Sequence, residues 1–206
     1  MTWNLEEQLL ALGAVKLNPL NPFQWSSGLK APIYCDHRNL LGYPESRNQI
    51  ALGLGHLASQ FNPSLIAGTS TAGIPWGVLV AHQLSLPFVY VRPEPKSHGL
   101  GRQVEGISCK EQTIVLIEDL VSTGGSSLRC VEALRREGGQ VLSVVAIFNY
   151  GLPASQMAFE NEKVILKTLG NLENLLKKAM GTFSPEALAS LQSWQQDPQA
   201  WSARQG

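Results

Sequence analysis

The sequence predicts an α/β protein with a central, mainly parallel sheet flanked by helices. Short apolar runs of strand length recur at residues 64–67, 88–92, 113–117, 141–148 and 164–168, and runs lacking polar alternation suit strands buried on both faces. Helical patterns separate most of them, notably residues 74–84 and 126–137. Such alternation implies parallel strands joined by helical crossovers, with ligands at the carboxyl ends of the strands. With 206 residues, 44% of them hydrophobic and 16% charged, the chain can bury a substantial core in one domain plus a small appendage.

Taken in order, the first element is a helix from residue 5 to about residue 12, capped by Asn4 and closed by Gly13. Residues 44–61 read as a second helix, with Ile50, Leu54, Leu57 and Ala58 on one face. The strand and helix runs then alternate to residue 168. Asp119 and Ser122 fall at the carboxyl end of the 113–117 strand. The tail, residues 184–206, begins as a capped helix at Ser-Pro-Glu-Ala-Leu and ends in a polar stretch expected to fray. The sequence assigns no role to that tail or to its Trp194 and Trp201. It has no internal repeat and no low-complexity linker.

Composition excludes several classes of function. The chain carries 16 basic and 16 acidic residues, which argues against nonspecific nucleic-acid binding. No run approaches the roughly 20 apolar residues needed to span a bilayer. The opening Met-Thr-Trp-Asn-Leu-Glu-Glu is polar and acidic, so export is not indicated and the cytoplasm is the expected location. Three scattered cysteines, Cys35, Cys109 and Cys130, do not suggest a disulfide framework or a zinc site. Cys109 and Cys130 read as packing residues, and His37, His56 and His82 as structural.

Residues 113–127 carry the chemistry. An apolar run ends on the adjacent acids Glu118 and Asp119, and Ser122, Thr123, Gly124, Gly125 and Ser126 then lead into a helix. Small and hydroxylated residues can present several backbone N–H groups to one phosphate, and the helix adds its positive dipole end. The spacing is neither that of a nucleoside triphosphate P-loop nor Gly-x-Gly-x-x-Gly. Carboxylates beside a phosphate need another partner, and sugar hydroxyls or a divalent cation would serve. These residues therefore read as a site for a phosphorylated ribose. The basic segment with Arg92, Lys96, His98 and Arg102, broken by Pro93, Pro95, Gly99 and Gly101, suits a loop that opens and closes over an anionic substrate.

Four apolar residues, two acids, two apolar residues and Ser-Thr-Gly-Gly-Ser resemble the 5-phosphoribosyl 1-diphosphate (PRPP) motif of the type I phosphoribosyltransferases. Residues 23–38, with Ser-Gly-x-Lys-x-Pro-x-Tyr, resemble the N-terminal hood segment of the orotate phosphoribosyltransferase family. Residues 68–75 look like that family's diphosphate loop, and residues 90–106 like its mobile catalytic loop. The resemblance implies a type I phosphoribosyltransferase fold with a small hood. Residues 1–206 would form one domain, with the hood largely from residues 1–42 plus part of the C-terminal region, over a core of about residues 43–170.

The implied reaction is transfer of the 5-phosphoribosyl group from PRPP to orotate, in pyrimidine biosynthesis, with Mg²⁺ held through PRPP. Lys96, His98 and Asp119 are the implied catalytic residues. Arg92, Lys96, His98, Glu118, Asp119, Leu120, Val121, Ser122, Thr123, Gly124, Gly125 and Ser126 are the implied PRPP contacts. Ser122, Tyr34 and Cys35 would meet orotate. A homodimer with active sites shared between subunits is implied, with no nucleic acid or membrane partner. Some relatives carry basic residues where this chain has Ala72, Pro93 and Tyr150, which thins the charge facing the substrate. Two other readings stay open: a phosphoribosyltransferase acting on another base, and a PRPP-sensing regulator without turnover.

Overall fold

The computed structural model describes residues 3–25, 28–94, 103–179 and 183–205. The chain begins with α1 (Leu5–Ala11), whose cap Asn4 accepts a hydrogen bond from the Glu7 amide at 3.0 Å. Four short strands follow: β1 (Val15–Leu17), β2 (Phe23–Gln24), β3 (Lys30–Ala31) and β4 (Ile33–Cys35). β1 pairs antiparallel with β4, and β2 with β3. A 3₁₀ segment, His37–Gly42, leads into α2 (Pro44–Ser59), which starts on a proline whose missing N–H costs a helix nothing at that position.

The alternating part then runs β5 (Leu65–Thr69), α3 (Gly73–Leu84), β6 (Phe88–Val91), β7 (Val104–Glu105), β8 (Thr113–Val121), α4 (Gly125–Arg136), β9 (Gln140–Asn149), α5 (Pro153–Asn161) and β10 (Ile165–Asn171). The C-terminal helices are α6 (Leu172–Lys178), α7 (Pro185–Gln196) and α8 (Pro198–Ala203). One sheet has the order β10-β9-β8-β5-β6-β7, parallel throughout except for the edge strand β7.

The apolar runs make this sheet because successive side chains alternate between two buried faces. Ile66, Val115, Ile117, Val145 and Ile147 enter one core with Ile50, Leu54 and Ala58 of α2 and Trp76 and Val80 of α3. Leu65, Ala67, Ile114, Leu116, Val144 and Ala146 enter the other, against Val131 and Leu134 of α4 and Phe159 of α5. Each fully buried leucine or isoleucine contributes about 1.5–3 kcal/mol. Helices from either side of the β5–β8 pair thus cover opposite faces. Strand order also reverses at that pair, which opens a crevice at its carboxyl end.

Several boundaries differ from the sequence expectation. β8 continues past Ile117 to Val121 because β9 keeps pairing with it after β5 has ended, with Leu120 opposite Phe148 and Val121 opposite Asn149. Glu118 and Asp119 are therefore strand residues. The polar end of the tail does not fray: Pro198–Ala203 is helical, and Trp201 is 2% exposed. Ser202 Oγ accepts from the Lys30 amide, and the Gln205 carbonyl from Lys30 Nζ, both at 2.9 Å. The tail thereby closes on the β2–β3 hairpin. Trp194 is fully buried, edge-on to Tyr150 at 5.2 Å and to Trp25 at 5.8 Å.

Trp194 should therefore be a main tie between α7, Trp25 beside β2 and Tyr150 after β9. Trp194→Ala is expected to lower unfolding free energy by about 3–5 kcal/mol, read by urea denaturation. A change below about 1 kcal/mol would mean the tail is not packed as described.

Candidate active site

The crevice is built from two strand ends and two helix beginnings. β5 ends at Thr69 and α3 begins at Gly73, with no side-chain cap at Ala72. β8 ends at Val121 and α4 begins at Gly125, again without a side-chain cap. First-turn N–H groups at both helices thus lack side-chain capping and can meet an anion. Glycine is required at two of these positions. A Cβ on Gly73 would collide with Thr69 Oγ1 and lie 2.6 Å from the Ile117 carbonyl, so the α3 start could not approach β8. Gly124 adopts φ +85°, a left-handed conformation, and a Cβ there would lie 2.8 Å from the Phe159 ring.

Glu118 is the best-held residue of the crevice. Thr69 Oγ1 donates to its Oε1 at 2.6 Å, Ser127 Oγ to its Oε2 at 3.0 Å, and the Asp119 amide to Oε1 at 3.1 Å. Burial, reinforced by the neighbouring Asp119 charge, pushes its carboxyl up to about 8, against the pull of the Thr69 and Ser127 hydrogen bonds. Near neutral pH Glu118 is therefore largely protonated. Asp119 lies half-buried beside it.

Two cavities meet at Leu120. The first, about 290 Å³, lies between residues 69–72 and the first turns of α4, with Glu118, Asp119, Ser126 and Arg129 in its walls. The second, about 650 Å³, brings Tyr34, Cys35 and Ser122 together with Trp25 and Tyr150. Tyr150 stacks on Trp25 with ring centroids 5.7 Å apart. Burial pushes the Cys35 thiol up to about 12, partly opposed by a hydrogen bond with Tyr150, and raises the Tyr150 hydroxyl too. Both groups stay neutral, so Cys35 is a lining group and not a thiolate nucleophile.

The sequence-derived site residues thus fall into two sets. Glu118 and Asp119 share the first cavity with Ser126 and with the neutral Ala72 and Pro93, while Thr123 joins Tyr34, Cys35 and Ser122 in the second. Val121 closes β8 and is buried, and Gly124 and Gly125 form the turn into α4. Arg92 stands beside the first cavity's wall, its guanidinium 3.6 Å from Glu105. Lys96 and His98 lie outside the described residues.

His37 was expected to be structural, and it is fully buried, 5.9 Å from the Phe148 ring. Desolvation lowers its pKa, against the raising effect of the Asp119 charge, so a neutral imidazole lies behind Asp119. Thr69 and Ser127 had no individual role in the sequence reading, and neither did Arg129. Thr69 meets Glu118 only through tertiary folding, and Arg129 follows the motif where helical period alone marks a surface residue.

Comparison with known proteins is consistent with this arrangement. A model described as a phosphoribosyl transferase domain matches residues 46–166. The orotate phosphoribosyltransferase of Bacteroides thetaiotaomicron is 47% identical over 201 residues, 96% of this chain and 95% of that protein. The crystal structure of orotate phosphoribosyltransferase from Aeropyrum pernix aligns with a TM-score of 0.73 at 32% identity, covering 88% of this chain and all (100%) of that one. The UMP synthase of Leishmania donovani aligns at 23% identity with a TM-score of 0.78, over 93% of this chain and 41% of that longer one, a likeness of fold.

The raised Glu118 pKa has a signed consequence for stability. Between about pH 5 and about pH 8 the folded chain keeps a proton that the unfolded chain releases, so stability falls as pH rises through that window. Glu118→Gln removes this term. Whatever its offset at low pH, the variant should gain on the parent by up to about 1.4 kcal/mol per pH unit across the window. Thermal melts of ligand-free protein at several pH values check this, and parallel curves for the two proteins would contradict it.

Proposed function

The chain belongs to the orotate phosphoribosyltransferase family of pentosyltransferases, and we propose that its two adjoining cavities divide the two substrates, PRPP and orotate. The observation that carries this reading is the junction at Leu120, where a cavity floored by two acids meets one walled by aromatic and hydroxyl groups. In the proposed assignment the α4 amides and the Ser126 hydroxyl hold the 5′-phosphate from the first cavity, and Thr123, which lines the second, meets it from the turn between the two. Glu118 and Asp119 accept from the ribose 2′- and 3′-hydroxyls, and residues 68–75 face the diphosphate. Tyr34, Cys35 and Ser122 position orotate, with Tyr34 available to stack.

The displacement forms a bond from orotate N1 to ribose C1′, breaks the bond from C1′ to the diphosphate oxygen, and releases the N1 proton to solvent or to the departing diphosphate. Orotidine 5′-monophosphate and diphosphate are the products. Positive charge develops on the ribose, so catalysis is positioning and electrostatics without a covalent enzyme intermediate. Asp119 is the carboxylate placed to face that charge. Lys96 and His98, with Arg92, are assigned by family resemblance to neutralise the departing diphosphate.

Mg²⁺ is the proposed cofactor. Among the described residues no group of three or more His, Cys, Asp or Glu could hold a metal. Of the two acids at the crevice Glu118 is largely protonated and held by Thr69 and Ser127, which leaves Asp119, and one carboxylate plus substrate oxygens is an arrangement that suits Mg²⁺. When bound it would offset charge on the diphosphate.

We also take residues 1–206 as one domain, the hood drawn from residues 1–42 and part of the C-terminal region over a core of about 43–170; the Lys30 contacts with the tail support that division. A homodimer with shared sites and a cytoplasmic role in pyrimidine biosynthesis complete the proposal. Among the described residues no helix is long and apolar enough to cross a membrane.

Purified protein with PRPP, Mg²⁺ and each candidate base should consume orotate, followed by its absorbance change. Turnover of adenine or uracil but not orotate would sink the reading, and PRPP binding without turnover would favour a regulator. Lys96→Ala is expected to lower kcat by at least about 100-fold with little change in melting temperature, since removing one group that stabilises developing charge costs about that much. If mixed dimers of Lys96 and Asp119 variants recover no activity, the loop acts within its own subunit.

A further inference from the structure

The charge balance of the smaller cavity identifies one more substrate contact. Its described walls carry Glu118 and Asp119, with Thr69, Ser70, Thr71 and Ser126 as hydroxyl donors, and Arg129 is their one cation. Arg129 sits one turn into α4, and its Nη1 lies 3.6 Å from where a Cβ on Gly125 would stand. The guanidinium therefore folds back over the first residue of its own helix, as helical side chains do. That end of a helix carries positive partial charge and disfavours a cation. Among the described residues no carboxylate pairs with Arg129 to relieve this. A free cation at the positive end of a helix without a side-chain cap, facing a cavity, is stabilised when an anion enters.

We propose that Arg129 binds the diphosphate end of PRPP, bridging from α4 to the loop of residues 69–72 across the cavity. This rests on the proposed function, because the cavity is taken to hold PRPP. Residues 69–72 of the proposed diphosphate loop line the same cavity as Arg129, as does Ser126 of the 5′-phosphate loop, and the diphosphate is assigned to Arg129 because the α4 amides and hydroxyls already serve the 5′-phosphate. Gln103, which donates from Nε2 to the Arg92 carbonyl at 2.9 Å, stands in the same wall.

Steady-state kinetics and calorimetry on Arg129→Ala and Arg129→Lys test the proposal. Arg129→Ala should raise KM for PRPP and weaken inhibition by magnesium diphosphate about tenfold each, the loss expected for one charge-assisted hydrogen bond. KM for orotate and the melting temperature should stay at the parent values, and Arg129→Lys should recover most of the loss. Unchanged KM for PRPP and unchanged diphosphate inhibition in Arg129→Ala would overturn the assignment. So would weakened inhibition by orotidine 5′-monophosphate alone, which would place Arg129 on the 5′-phosphate. Calorimetric titration with magnesium diphosphate in the absence of base reads Arg129 directly. If the parent binds diphosphate through Arg129 but does not turn over orotate, the functional reading fails and this contact stands.

Discussion

One carboxyl group ties together the pieces that make the crevice. Glu118 receives hydrogen bonds from Thr69, at the end of β5, and from Ser127, in the first turn of α4. β5 and β8 are neighbours where the strand order reverses, and the helices that follow them leave toward opposite faces. The β5–β8 ladder ends at Gly68 opposite Ile117, and the Glu118 contacts continue the connection beyond it to the start of α4. A buried ionised carboxylate would hold them at a large desolvation cost. A largely protonated one, as burial and Asp119 make it, can hold them as a neutral group. The free crevice then presents one fewer negative charge than its two acids suggest, which matters for a site meant to receive phosphates.

The second cavity depends on segments far apart in the chain. Trp25 comes from the hood, Tyr150 from just beyond β9 and Trp194 from α7, and their rings pack within 6 Å of one another. Gln195 Nε2 donates to the Tyr150 carbonyl at 2.7 Å, so the tail holds both ring and backbone of that residue. Short strands such as β2 and β3 have few ladder hydrogen bonds of their own and need this support. The tail thus packs against Trp25 and Tyr150, which line the cavity together with Tyr34 and Ser122.

Legibility in the sequence followed the range of the forces involved. The sheet strands could be read because burial on both faces leaves an unbroken apolar run, and the turn into α4 because its glycines and hydroxyls lie within a few residues of each other. The hood strands could not, since elements of two or three residues have no period to detect. β7 was missed for the same reason. α8 looked like a fraying end because its composition is polar, and only the burial of Trp201 and the Lys30 contacts make it ordered. The anchoring of Glu118 depends on Thr69, 49 positions earlier, and no local pattern encodes that pairing. Asp119 was legible as an acid at a strand end, whereas the buried neutral His37 behind it was not.

The two cavities also differ in what they ask of their walls. On the acid side the contacts must suit a polyanion, and the described wall offers hydroxyls, first-turn amides of α4 and the Arg129 guanidinium. On the aromatic side Cys35 and Tyr150 are both held neutral by burial, and Trp25 packs flat on Tyr150. A wall without ionised groups recognises a planar ring by area and by hydroxyl contacts, with Ser122 and Tyr34 at its edge. Leu120 belongs to both cavities, with Asp119 immediately before it and Ser122 two positions after it. A displacement running from one cavity to the other must pass that residue. In the proposed assignment the carboxylate before it faces the positive ribose and the hydroxyl two positions after it faces the incoming base, so residues 119–122 would set the line of attack.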